Sequence, residues 1–537
     1  MNQKLAAPLA AAIALTIIGA LAPPGSRRAL VNSAILAAGA VAIALPLGTL
    51  LAVLLARFDV PGRRVAIACL GVLLFLPLYV QLSGWDAALG KLGWYSLVQG
   101  ALAQPFLAGM RGAIFVHGMA AVPWVVLLIG TGLMQVDPAQ EEAALLVLPP
   151  RGVLWRITLP QALPFIAAAA VWTIVGTTSE MTVTNIYLIN PHEGTYTEQF
   201  YMRFAASDAE RAAIGVLPGV AGLAVIILAT LWMVWRVSER RVMASIARPR
   251  AHFIGRIATL SGAVVWLIVF VLLAVPIGSL VNKAGFIVRH EGGERIRAWS
   301  AAATLKEIAA VPTKFRGEIG GTTGVAAGAA SVAFVMACVL AWRARRGGIA
   351  ALPAIAIVVL GLSIPGPLVG SALIELFNHD VPPRILLGDG IYKSWLLILY
   401  DQTATAPILA QAIRALPLAT LLLWFSFARL PDDVLEASAL DGLSPLGVFW
   451  RIAVPQRWRA MTASWIAAFA VAAGDLAWAH LVTPPGLDLL QRRVFGLVHS
   501  GVEEQVAAIS LVVIIAYAAM AIAVLALLRS QRRALAR

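Results

Sequence analysis

Apolar segments of 18 or more residues recur about a dozen times along this chain, each long enough to cross a hydrocarbon layer of roughly 30 Å as a helix. No water reaches backbone N–H and C=O groups inside lipid, so segments of this kind fold as helices that close their hydrogen bonds internally. The apolar runs are continuous and do not alternate with period two, which excludes a β-barrel. With 60% hydrophobic and 13% charged residues, the chain is also far from soluble domains, which carry about 25% charge. The expectation is an all-α integral membrane protein.

Spans are expected at roughly 5–22, 30–55, 65–84, 113–134, 162–188, 212–235, 259–281, 324–342, 349–377, 405–428, 461–482 and 506–528, twelve helices with six in each half. Lys4, the apolar stretch after it and "GALAPP" resemble a signal peptide, but the proline directly after Ala22 is a poor cleavage context. An uncleaved helix is expected there. The net charge of +14 has no soluble basic domain to carry it, so it reads as membrane topology and not as a nucleic-acid surface. Arg57, Arg63 and Arg64, then Arg236, Arg240, Arg241, Arg248, Arg250 and Arg256, then Arg343, Arg345 and Arg346, and finally Arg529, Arg532, Arg533 and Arg537 all fall on one side. By the positive-inside rule that side, with both termini, is cytoplasmic. A long outer segment, 283–323, carries an amphipathic stretch from Trp299 to Ala310, read as a helix lying on the membrane or as a partner-docking element. Cys69 and Cys338 both sit in apolar spans, which argues against a disulfide framework or a thiolate metal site.

A polar loop interrupts the apolar pattern twice. "EEAALLVLPPRGVLWRITLP", Glu141 to Pro160, returns 295 residues later as "EASALDGLSPLGVFWRIAVP", Glu436 to Pro455, identical at eleven of twenty positions without a gap. This is a duplication. It divides the chain into a first repeat, 1–256, with the loop 141–160, and a second, 257–537, with the loop 436–455. Parallel six-helix repeats imply a pseudo-two-fold axis along the membrane normal and a pathway where the halves meet. In each loop, Asp and Pro start a short helix whose positive end suits the nearby acids. "PPRG" or "DGLSPLG" then breaks it, and "VLWRI" or "VFWRI" leads to Pro160 or Pro455. The product is a helix-turn-helix plug, apolar toward the membrane helices and charged outward. Trp155, Trp450, Arg156 and Arg451 suit simple interface anchoring. Anchoring alone does not require Glu, turn and terminal Pro to keep their spacing in both copies, whereas a common docking partner for each half does.

These loops resemble the EAA loop of binding-protein-dependent ABC importer permeases, approximately E-A-A-x(3)-G-x(9)-I-x-L-P. The second copy supplies Glu436, Ala437, Gly442, Ile452 and Pro455, with Ser438 and Val454 at two variant places. The first keeps Glu141, Ala143, Ile157, Leu159 and Pro160, with Glu142 for the first Ala and Val147 where the family has Gly; Pro149, Pro150 and Gly152 are expected to make its break. Two loops in one chain look like a fused pair of permease subunits of the ferric-iron and thiamine type. The resemblance implies a bacterial inner-membrane subunit whose loops dock on two cytoplasmic ATPase subunits while an extracytoplasmic binding protein delivers solute. Glu141 and Glu436 are then the expected polar contacts with the ATPase, and Gly442 the turn. ATP is used by the partner, because no G-x(4)-G-K-[ST] stretch occurs here and no cofactor is expected on this chain. Ferric iron is the leading solute, with thiamine, polyamine or another small solute as alternatives.

Glu180 and Asp475 lie at the same 295-residue offset, within or near the outer half of the fifth and eleventh spans. Ionisable groups at membrane depth face a bundle interior or watery cavity. They read either as a paired acidic ring for a cationic solute or as local pairing and capping of a broken helix, and Arg414 is a candidate counter-ion for either. The outer loops from Asn190 and from Thr483 occupy equivalent places and suit a docking face or plain connectors. His192 and Tyr196 lack metal-ligand spacing, and no metal is assigned. A gradient-driven carrier of twelve spans shares the repeats and intramembrane acids, but has no use for matched docking loops. No zinc-type or nucleophile motif supports an enzyme.

Overall fold

A computed structural model describes residues 24–91, 93–99, 105–188, 194–205, 209–239, 256–291, 294–379, 384–386 and 392–535. The expected span at 5–22 and His192 lie outside the described residues. Among them, eight helices are long and apolar enough to cross a membrane, or ten when each of two bent pairs counts as one span. The fold is that of an all-α multi-pass membrane protein.

Packing separates two compact units, the described residues of 1–74, 80–308 and 503–511, and those of 75–79, 309–502 and 512–537. The first unit takes α1 (Pro24–Arg57), most of α2 (Arg63–Phe75) and of α3 (Leu78–Leu89), and α4 (Gly109–Leu133), α5 (Pro138–Leu145), α6 (Leu159–Thr178), α7 (Thr182–Tyr187), α8 (Tyr196–Ala205), α9 (Ala209–Glu239) and α10 (Arg256–Ala284). Helix α1 lies along both α4 and α6. The approach is close: a Cβ on Gly48 of α1 would come within 2.4 Å of the Val125 side chain on α4.

After α10 come strands β1 (Phe286–Glu291) and β2 (Glu294–Trp299), antiparallel in register from Phe286 opposite Trp299 to Glu291 opposite Glu294. Helix α11 (Ala301–Lys314) follows. The amphipathic helix is thus present but begins at Ala301, because Ile287, Val288 and Ile296 favour paired strands before it. The second unit contains α12 (Arg316–Ala344), α13 (Leu352–Ser363), α14 (Gly366–Phe377), α15 (Thr405–Phe427), α16 (Asp432–Leu440), α17 (Val454–Gly474), α18 (Leu490–His499) and most of α19 (Glu503–Leu535). Its core is built from small residues. Ala326, Ala329, Ala330, Ala333 and Ala337 of α12 cluster with Ala412, Ala415 and Ala419 of α15, and small side chains let helix backbones approach where lipid offers no hydrophobic drive.

Two expected straight spans are broken. The segment at 65–84 divides at Leu76–Pro77 into α2 and α3, and the segment at 349–377 bends by 105° at Ile364–Pro365 between α13 and α14. Proline removes an N–H and pushes the preceding residue out of helical conformation. Two more spans end early: α6 stops at Thr178 and α17 at Gly474, so Glu180 and Asp475 stand just past helix ends and not inside spans.

Candidate functional site

The first loop starts as its sequence predicts. Asp137 caps α5, its carboxylate accepting from Ala139 N–H at 3.0 Å, with Pro138 in the first turn. Glu141 then turns inward. It is 2% exposed; Arg57 Nε donates to its Oε1 at 3.1 Å and Thr158 Oγ1 donates to the same oxygen at 2.6 Å. Arg57 also donates through Nη2 to the carbonyl of Leu133 at 2.9 Å, one of the orphan acceptors at the end of α4. One guanidinium therefore ties the ends of α1 and α4 to the loop helix. Glu141, expected at a partner contact, here directs its carboxylate to Arg57 and Thr158 of the same chain. The exposed positions are Glu142 and Ala143, with Leu146 and Val147 at 88% and 84% exposure.

No glycine ends α5. Its last turn tapers, with Leu146 N–H on Ala143 O at 3.3 Å and Leu148 N–H on Ala144 O at 2.8 Å. Pro149 is then extended (φ −64°, ψ 156°) and Pro150 opens the next short turn, Pro150–Val153. The prolines make the break; Gly152 lies within that helical turn.

The second loop reaches the same path by different chemistry. Gly442, at φ +73°, lets Leu443 N–H reach back to Ser438 O at 3.1 Å, the six-to-one bond of a left-handed helix terminus that glycine adopts without strain. Ser444 caps the following turn by accepting from Gly447 N–H at 3.2 Å. Glu436 and Ala437 are exposed, and Leu440 and Leu446 are 90% and 66% exposed. Beneath them an aromatic cluster replaces the ion pair: Phe449 lies 5.3 Å from Trp342 and 6.0 Å from Phe427, ring centre to centre. Arg345, just past the end of α12, stacks over Trp342 at 3.8 Å, and Ala453 stands where the first loop has Thr158.

Both loops continue into a single π-helical turn, Leu154–Thr158 and Phe449–Ala453. The wider turn is a feature found mostly at functional positions in helices. It projects Trp155 and Trp450, 70% and 62% exposed, beside exposed Arg156 and Arg451. Pro160 and Pro455 follow in the first turns of α6 and α17, where a missing N–H breaks no helical bond. Short helix, break, π turn and proline thus recur in the same order.

The pathway candidates separate into two environments. Glu180 caps α7, accepting from Thr182 N–H at 2.7 Å and Val183 N–H at 3.2 Å, with His117 Nε2 at 3.9 Å. Asp475 accepts from Arg414 Nε at 2.9 Å, and its carbonyl from Gln411 Nε2 at 2.7 Å. Arg414 is therefore the counter-ion of Asp475. Arg57 reads in the sequence only as one more charge at a span end, and Thr158, His117 and Glu198 hold no motif position there. The Thr158 to Ala453 difference between the two copies was the available signal for the buried pair.

The matched loops, with their exposed apolar tips, frame the comparison with known proteins. The maltose/maltodextrin transport system permease protein MalF of Photorhabdus laumondii is 31% identical over 162 residues, 29% of this chain and 30% of that protein. MalF of Escherichia coli K12 is 30% identical over 167 residues, 30% of this chain and 31% of that protein. The match thus spans less than a third of the length of these curated relatives. Residues 326–537, which contain the second loop with α15 and α17, match the family of binding-protein-dependent transport system inner membrane components.

Proposed function

We propose that the chain is the membrane-spanning permease subunit of an ATP-driven, binding-protein-dependent importer, a transport subunit and not an enzyme. The observation that carries this reading is the loop built twice to one plan, its second copy inside the stretch matching the inner-membrane component family. Each loop offers a short helix with an exposed apolar tip, Leu146 and Val147 or Leu440 and Leu446, and an exposed acid, Glu142 or Glu436. A helix of this kind fits a cleft on a cytoplasmic ATPase, two copies serving the two loops. ATP is hydrolysed on those partners, whose closure moves the loops and biases the helices between two states. An extracytoplasmic binding protein supplies solute, and both termini lie on the cytoplasmic side of a bacterial inner membrane.

The solute reading changes with the relatives. Ferric iron draws no support from them; those named are maltose/maltodextrin permeases, so an oligosaccharide is the first solute class to test. The test of the permease reading is co-expression of the tagged chain with a candidate cytoplasmic ABC ATPase from the same organism. Wild type is expected to retain the ATPase on purification, and Leu440→Asp with Leu146→Asp to lose it while still inserting in the membrane. Equal retention by the double variant overturns the docking assignment.

A further inference from the structure

We propose that the groove between α12 and α17 holds an acyl chain of an anionic phospholipid, whose phosphate is bound by Arg459 and Arg457 at the loop end of α17. The groove belongs wholly to the second unit. Its volume is about 290 Å³, and it is lined by Phe334 of α12 with Val454, Trp458, Met461, Thr462 and Trp465 of α17. Val454, Trp458, Met461 and Trp465 recur at intervals of four, three and four, the spacing of one helical face. Trp465 fixes the far end: its Nε1 donates to Ser331 Oγ of α12 at 3.2 Å, and its ring stacks on Phe469 with centres 5.7 Å apart.

Length and lining suit a lipid chain. From Val454 to Trp465 the helix rises about 16 Å, the depth of one leaflet of a hydrocarbon core about 30 Å thick. The volume stands at the lower edge of ligand pockets, about 300–1,000 Å³, so it takes one chain and leaves the rest of the lipid in the bilayer. Thr462 adds little polarity, because its hydroxyl already donates to the Trp458 carbonyl at 2.9 Å. Trp458, 48% exposed, stands one turn from the start of α17, where the chain leaves the polar loop. Indole rings favour such a membrane–water boundary.

Charge selects the headgroup. Residues 451–474 include Arg451, Arg457 and Arg459 and no Asp or Glu. The Arg459 guanidinium lies over the Trp458 ring at 5.3 Å, which sets it beside the lining. Arg457, two residues earlier, donates through Nη2 to the Arg429 carbonyl. The Nε atoms of Arg457 and Arg459 are out of solvent without an acceptor, and among the described residues neither side chain forms an ion pair. Buried donors are nearly always satisfied, and a phosphate offers charged acceptor oxygens that match the guanidinium fork. The first repeat lacks this device. At the 295-residue offset, Ala162, Leu163, Pro164 and Ala170 stand where the second repeat has Arg457, Trp458, Arg459 and Trp465, so the duplicated loop plan does not account for them. The inference rests on the membrane fold and not on the importer reading.

The test is titration of the purified full chain in mild detergent with phosphatidylglycerol or with phosphatidylcholine of the same acyl chains, lipid-bound forms being counted by native mass spectrometry. One tightly held phosphatidylglycerol is expected, preferred over phosphatidylcholine by about fivefold or more, the worth of an arginine beside an anionic headgroup. Glycerol phosphate, a headgroup without chains, is expected not to displace it. Arg457→Gln with Arg459→Gln is expected to remove the preference, and Thr462→Trp, which fills the groove, to weaken both lipids. Leu163→Trp, on the equivalent helix of the first repeat, is expected to weaken neither. Equal affinity for the two lipids, displacement by glycerol phosphate, or a preference kept in the arginine variant overturns the proposal, as does a Thr462→Trp effect no larger than that of Leu163→Trp. If a variant does not fold, the wild-type preference and the glycerol phosphate competition decide alone.

Discussion

Arg57 and Glu141 meet at 3.1 Å across 84 residues of sequence, with side chains 2% and 3% exposed. Removing one partner of such a pair strands a charge away from water, at about 3–5 kcal/mol, while replacing both with apolar groups of similar volume is close to neutral. Glu141→Ala and Arg57→Ala are each expected to lower stability by about that amount. The paired change Arg57→Met with Glu141→Leu is expected to recover most of the loss. A double-mutant cycle on the denaturant midpoint of the purified chain measures the coupling; simple additivity of the two single losses rules out a mutually satisfied pair.

Gly442 has no side-chain neighbour within 4 Å of a Cβ built on it, so any cost of substitution there is conformational. Its φ of +73° makes Gly442→Ala destabilising by about 1–2 kcal/mol, and Gly442→Asn by less, since Asn tolerates this region. Val147→Gly, at the aligned place in the first loop, is expected to bring no gain, because Pro149 and Pro150 already make that break. Thermal unfolding of the three variants checks the set. A stabilised Val147→Gly protein would show that the first loop lacks a proper terminus after all.

The spans and the repeated loop were legible because lipid leaves an apolar segment little choice but helix, and because the two copies keep their spacing. The interruptions were less so. Pro77 and Pro365 were visible, yet a proline inside an apolar run is also tolerated, as Pro123 in α4 and Pro417 in α15 demonstrate. The facing of Glu141 was hidden for another reason. Helical spacing fixes which residues share a face, but the burial of that face depends on Arg57, which the sequence displays only as one more positive charge at a span end. Glu198 was hidden likewise, since its burial follows from the docking of α8 on the end of α6 through Thr197 and Thr178.

Arg414 and Asp475 make the same kind of pair with more access to solvent, their side chains 23% and 14% exposed. Charges at membrane depth are retained when paired. Asp475→Asn and Arg414→Gln are each expected to reduce solute uptake severalfold, and the exchange Arg414→Asp with Asp475→Arg to restore part of it. Uptake into vesicles containing the reconstituted transporter reads this out. If the exchange is as inactive as Asp475→Asn, the contribution of Asp475 is something other than its pairing.

Glu198 gives stability a pH dependence of defined sign. Its carboxyl is pushed up from 4.5 to about 7 in the folded chain, chiefly by burial, which outweighs the opposing hydrogen bond at the Thr195 backbone, with a lesser upward push from the charge of Glu180. Between these values the folded protein holds a proton that the unfolded chain has released, so stability falls as pH rises. The contribution is fully present below about 4.5, declines through the window up to about 7 and is flat above it. Glu198→Gln keeps the shape and removes the titration. Its stability relative to wild type is therefore expected to be unchanged in the acidic limit and to grow more favourable on raising the pH to neutrality. Denaturant midpoints of the two proteins across that window provide the measurement. A difference that does not vary with pH means that Glu198 titrates alike in the folded and unfolded chains.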